Sequence, residues 1–255
     1  MSKRLAFGLV VFVFIAGIVF IGLNVLDINE DYRLYLPVAV LNTVFISAIA
    51  VFVAAIAAVN YAASGSLPLL ALGCGVLAFG ISSLLKGWLI DRDLYLLITV
   101  HDYSALIASA MHLAGATLGM AGLYVAAPKK RVITLCSCHL GTLTSIALII
   151  LLALRGTIPL LGVPDETIIL RDVVRGITTI LLVTSSLVYF RVNSRLQTDF
   201  YFRYSLGLML FALGVVFISQ GAVESLIAWW GRAAQYIGGL FFLWATLVWR
   251  HVDNL

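Results

Sequence analysis

Charge is what this sequence has least of. Asp, Glu, Lys and Arg together make up 11% of the 255 residues, where a soluble domain carries roughly a quarter. With 62% hydrophobic residues and a mean hydropathy of +1.09, the chain cannot hide its apolar surface from water, so its solvent is a bilayer. Cysteine is scarce as well. Cys74, Cys136 and Cys138 all fall in apolar stretches, and an odd, buried set excludes a disulfide framework. The signatures of catalysis are missing: no phosphate-cradling Gly-Lys-Ser/Thr loop, no H-E-x-x-H, and no carboxylates paired within one helical turn at the membrane centre. The last span has no lysine that could carry a retinal Schiff base. The expectation is a protein that is not an enzyme.

What the chain does have is long apolar runs. Eight are long enough for a hydrocarbon core that needs about 20 helical residues: 5–26, 35–63, 68–90, 95–126, 131–154, 168–190, 203–225 and 230–250. Their length, Gly and Ala content and lack of period-two alternation exclude a transmembrane barrel. The expected fold is therefore all-α, one polytopic helix bundle of eight spans over residues 1–255, multi-pass in the cell membrane. The basic N-terminus leads into an apolar run longer than a signal peptide's and without a small-residue cleavage site, so it reads as the first span.

Lysine and arginine orient the bundle. One side collects Lys3, Arg4, Lys129, Lys130, Arg131, Arg191, Arg195, Arg203 and Arg250, and the other collects Asp27, Glu30, Asp31, Asp91, Asp93, Asp165, Glu166 and Glu224. Both termini are then cytoplasmic. This distribution, with anionic lipid, accounts for the net charge of +4 without nucleic acid.

Polar residues inside the spans are the functional candidates. HDYSALIASAMH, His101 to His112, sets two histidines and Asp102 in span four. His101 and His112 share a helix face with Ser104, Ala105, Ala108, Gly115, Ala116 and Gly119, while Tyr103, Leu106, Ile107, Leu113 and Leu118 lie opposite. Small residues admit neighbouring backbones and polar ones bond across, so the histidine stripe turns into the bundle. His139, in CSCH, returns from the other direction about 7 Å out of register with His112. Three readings of His112 and His139 stand: packed histidines, a proton-linked or ligand-contacting pair, or axial ligands of a b-type haem, against which the stagger argues. The working expectation is no cofactor and no metal, because Cys136 and Cys138 at i and i+2 point to different faces.

A second cluster gathers at the outer face: Lys86, Arg171, Asp172, Arg175, Glu224 and Arg232, with His101 and Asp102. One reading makes them snorkelling ends and headgroup contacts beside Trp229 and Trp230. The other has the outer halves of spans four, six and eight enclose an outward-facing pocket for a small polar or anionic ligand, lined by His101, Asp102, Arg171, Asp172, Arg175 and Arg232.

NTVFISAIAVFVAAIAAVNYAASGS, LLALGCGVLAFGISSLLKGWL, TVHDYSALIASAMHLAGATL, FRYSLGLMLFALGV and WWGRAAQYIGGLFFLWA together resemble the N-terminal multispan region of archaeal and bacterial PAS-containing sensor histidine kinases. The resemblance covers roughly residues 38–250 and rests on glycines and small polar residues. It implies a membrane-embedded input module that senses a small ligand or membrane state and passes a signal to a cytoplasmic domain. No PAS domain, phospho-accepting histidine box or nucleotide-binding glycines occur in the chain, so the expectation is either an isolated or truncated input domain or a module that works through a separate cytoplasmic partner, with a homodimer as an open arrangement. Two alternatives remain: a small secondary transporter, with a helix break at Gly73, Gly75 and Gly80, and a haem-bearing electron-transfer subunit.

The orientation is testable. With the native cysteines replaced, Ser2→Cys and Asn254→Cys should both resist an impermeant thiol reagent in sealed right-side-out vesicles. Labelling of either from outside would reverse it.

Overall fold

The computed structural model describes residues 35–89, 92–123, 125, 127–164, 166–221 and 225–249. Among these the chain forms seven helices and no β-strand. Helix α1 runs through Tyr35–Asn42, a π-helical stretch Thr43–Ala48, and Ile49–Ser64. There follow α2 (Leu67–Leu89), α3 (Leu94–Met120), α4 (Pro128–Leu154), α5 (Ile168–Leu196), α6 (Asp199–Gln220) and α7 (Leu226–Val248). Six of them, α1 to α6, are long and apolar enough to cross a membrane. The seventh, α7, has 23 residues, but Arg232, Gln235 and Tyr236 dilute its apolar character. The expected first span, 5–26, and the acids Asp27, Glu30 and Asp31 lie outside the described residues, as do Asp91, Asp165 and Glu224.

Two helix ends differ from expectation. Helix α3 stops at Met120 and not near 126, because Gly122 takes a left-handed φ of 66° and its N–H turns back to the Gly119 carbonyl. Helix α5 continues past 190 to Leu196, where Gln197 (φ 53°) caps it. Its apolar run ends with the first arginine, but a helix need not be apolar beyond the hydrocarbon, and Val192 and Asn193 still bury a face.

Packing follows a ring. Helices α1, α2, α3, α5, α6 and α7 each pack on the next, and α7 returns to α1. Helix α4 is left outside, against α1, α2 and α3, with only Thr142, Ile146 and Ala153 buried. Its outward leucines and isoleucines present the apolar surface a lipid-facing helix needs. Inside the ring, aromatic side chains form a column: Phe79 meets Phe211 at 4.9 Å, Phe211 meets Phe242 at 5.1 Å, and Tyr204 and Phe200 continue to Trp249.

Arg131 has a structural task beyond topology. Its Nε donates to the Val125 carbonyl at 2.6 Å and its guanidinium also reaches the Ala62 and Ala63 carbonyls. It thereby satisfies acceptors that the last turn of α1 leaves open and ties α4 to the α1–α2 corner.

The closest seam is α6 against α7. A Cβ added at Gly231 would stand 2.8 Å from the Gly214 carbonyl oxygen, and one at Gly214 would stand 2.7 Å from that of Gly231. Backbone oxygens cannot swing aside, so the seam exists only because both residues lack a side chain. Gly231→Ala should lower stability by about 1–3 kcal/mol. Gly176→Ala, which meets nothing within 4 Å on an exposed helix face, should be neutral or stabilising by up to about 1 kcal/mol. Thermal unfolding in detergent compares them; equal losses would discard the close-approach account.

Candidate functional site

The ring order brings the first half of α3 against the first half of α5, and a buried ion pair joins them. Arg175 Nε donates to Asp102 Oδ2 at 2.8 Å, with the two side chains 11% and 5% exposed. Asp102 sits beside the small-residue stripe of α3, where Ser104, Ala105 and Ala108 are buried as their size permits. Arg175 comes from the face of α5 that buries Val174, Thr178 and Leu182.

Three further helices complete the surroundings. From α2, the Ser82 hydroxyl donates to the Phe79 carbonyl at 3.0 Å and lies 3.4 Å from His101 Nδ1, while Phe79 packs on the His101 ring at 5.1 Å. Lys86, one turn beyond Ser82 on the same helix, points into the same space. From α6 come Val215 and Ile218, and from α7 the buried amide of Gln235. Together with Ala105 and Thr178 they enclose a cavity of about 20 Å³, room for roughly one water-sized occupant.

The expected set therefore divides. His101, Asp102, Arg175 and Lys86 converge on this cavity. Arg171 and Asp172 do not line it. Arg171 lies along Gly162 of the α4–α5 loop, 3.6 Å from the Asp172 carboxylate, which is 58% exposed. Arg232 stacks over the Trp229 ring at 5.1 Å and is likewise outside the cavity wall. Glu224 lies outside the described residues. The reason is helical phase. Arg171 and Arg175 share a stripe in sequence, but Arg171 sits where Leu161, fully buried and hydrogen-bonded through its N–H to Thr99, draws the loop over the outer end of α3. The same loop half-covers Tyr103 and Leu106, which pack against Leu161 and Val174 and do not face outward freely.

Gln235 was legible only as a buried-helix polar residue three positions after Arg232, and its part in the site comes from α7 crossing α6. Ser82 and Thr178 carried no signal, being two of many hydroxyls in apolar helices.

His112 and His139 are separate from this cavity. The His112 ring shares a 2.7 Å hydrogen bond with the Tyr204 hydroxyl through Nδ1 and stacks on Phe242 at 5.6 Å. Its far edge fills the notch left by Gly75, where a Cβ would lie 2.6 Å from the imidazole. His139 Nδ1 lies 3.0 Å from the Leu135 carbonyl and 3.8 Å from Cys74 Sγ. The two histidines thus flank consecutive residues of α2. The expected 7 Å stagger is not seen in these contacts, because consecutive helix residues such as Cys74 and Gly75 are only about 1.5 Å apart along the axis. What separates the rings is α2 itself and the aromatic packing around His112. Cys136 is exposed, Cys138 half-buried and Cys74 buried, and among the described residues no three His, Cys, Asp or Glu side chains are placed to hold a metal ion.

The chain matches no family model, no curated protein and no solved structure.

The ion pair carries a stability prediction. Asp102→Leu or Arg175→Leu alone leaves one buried charge and should cost about 3–5 kcal/mol, while the double substitution should recover most of that loss. Chemical unfolding of the four proteins in detergent measures the coupling; additive losses would mean that the two side chains act independently.

Proposed function

We propose that the protein is a multi-pass membrane sensor or signal-input module, not an enzyme, with the cavity bounded by Lys86, His101, Asp102, Arg175 and Gln235 as its sensing site. The observation that carries this reading is a polar junction of five helices inside a bundle of membrane-spanning length. Residues of α2, α3, α5, α6 and α7 meet at one cavity, so an occupant touches most of the ring at once. A ligand biases an equilibrium only through differential affinity for its states, and a contact shared among helices is where such a difference arises. The small-residue seams and the π-helical stretch of α1 leave helices able to shift against one another.

The remaining elements of the reading come from the sequence: a cell-membrane location and cytoplasmic termini from the apolar runs and the lysine and arginine distribution, and an output to a cytoplasmic signalling domain or partner protein from the resemblance, with dimerisation as one way to transmit it. The transporter alternative has less support. Helix α2 is continuous from Leu67 to Leu89, and the glycines that suggested a break serve close packing instead: Gly75 admits His112 and Gly80 admits Ala50.

The test pairs motion with flux. Spin labels at the exposed outer positions Leu94 and Ile169, in nanodiscs, report the α3–α5 distance while chloride, nitrate, acetate, phosphate and glycine are added in turn. A sensor should show a distance change for at least one probe, abolished by Arg175→Gln, with no uptake of that probe into proteoliposomes. Uptake down a gradient would replace the sensory reading with transport, and a distance unchanged by every probe would leave the cavity without a sensing role.

A further inference from the structure

The cavity at the junction is unbalanced in charge. Lys86 and Arg175 face it with one carboxylate, Asp102, between them, and that carboxylate is engaged by Arg175 at 2.8 Å. Among the described residues no carboxylate lies within 4 Å of Lys86. The nearby Arg171 is partnered by Asp172 outside the cavity wall. With His101 neutral, the lining holds one positive charge in excess. An uncompensated charge among packed apolar helices is costly even after relaxation, and snorkelling to the interface is the usual relief. Lys86 instead directs its side chain to the cavity with Gln235 and the Asp102–Arg175 pair.

We infer that this cavity binds one small monovalent anion of halide size, held by the Lys86 ammonium with Arg175 and Gln235 as further donors. Charge and volume select the ligand independently. The excess calls for one negative charge, which water cannot supply and a cation would worsen. The volume, about 20 Å³, matches an occupant near the size of one water, which is the size of a single halide. The remaining walls are Phe79, Ala105, Val215 and Ile218 with the Thr178 hydroxyl, a mostly apolar lining that suits a weakly hydrated chloride or bromide. The anion would touch α2, α5 and α7 together, closing the polar junction. This inference names the ligand class of the sensing site proposed above and rests on that reading for its meaning in signalling, while the binding chemistry can be measured alone.

The experiment uses the full chain in nanodiscs, exchanged into sodium gluconate and then titrated with sodium bromide or sodium chloride at constant ionic strength. The unfolding midpoint should rise by about 2–4 °C or more in halide, while sodium sulfate gives no rise. Chloride NMR linewidths should broaden in parallel. Lys86→Gln should weaken the halide response at least tenfold, Gln235→Leu should weaken it less, and Arg191→Gln, at the opposite end of α5, should leave it intact. Equal midpoints and linewidths in halide and gluconate for the unaltered protein would overturn the inference whatever the variants do. The Leu94–Ile169 distance separates the two claims. Halide binding with no change in that distance for any probe keeps the anion site and removes the sensory reading. A distance that responds to another probe, in a protein indifferent to halide, keeps the sensor and removes the anion.

Discussion

A carboxylate and a guanidinium cannot stand within an apolar helix bundle unless they find each other, and the meeting of Asp102 with Arg175 organises this one. The pair requires α5 to lie against α3. Helix α4 comes between them in the chain, so it must leave the ring and take the periphery, where it buries only three residues. The long loop from Arg155 to Thr167 is the consequence: it carries the chain back over the outer end of α3, anchored by Leu161 on Thr99. Placing α5 there sets α6 and α7 to close the ring onto α1.

The bundle solves its polar problem differently at its two levels. Around the cavity, charged and amide groups from four helices, α2, α3, α5 and α7, face one another. Deeper in the ring, single polar groups are matched to single partners. The Tyr204 hydroxyl bonds His112, the Asn60 amide donates to the Thr246 carbonyl at 2.9 Å, the Ser47 hydroxyl donates to the Gly80 carbonyl at 2.8 Å, and that of Ser186 to the Ser205 carbonyl at 2.8 Å. These local matches pin helices together, and the cavity beside His112 is lined almost wholly by apolar side chains. The outer cluster differs in kind, because its charges do not cancel within it.

Glycine and serine play a consistent part. Where α6 crosses α7, and where His112 meets α2, the contact is made by a missing side chain and not by an attractive one. Such seams tolerate sliding along the helix axis better than interdigitated large side chains do, while forbidding bulk. Among the described residues one ion pair buried on both sides and several close backbone crossings hold the bundle, which leaves it few packing arrangements.

Composition and hydrophobic runs by themselves determined that the chain is all-helical, with helices of bilayer length, because helix length and apolarity are local properties that no partner needs to supply. The inward stripe of α3 was also legible, since a 3.6-residue period assigns His101, Ser104, Ala105, Ala108 and His112 to one face whatever packs on it. Neither the eight-span total nor the cytoplasmic termini belong to what the described helices establish. Only the tertiary structure decided which polar residues meet. Arg171 and Arg175 are equivalent in the sequence, four residues apart on one helix; Arg175 reaches Asp102, while a buried loop leucine and a surface carboxylate hold Arg171 apart from the cavity. Gln235 entered the site because α7 crosses α6 at two glycines, and His112 and His139 came to flank consecutive residues of α2. Each of these depends on helix order around the ring and on where turns fall to within a few residues, quantities set by the sum of many packing contacts and carried by no single stretch of sequence.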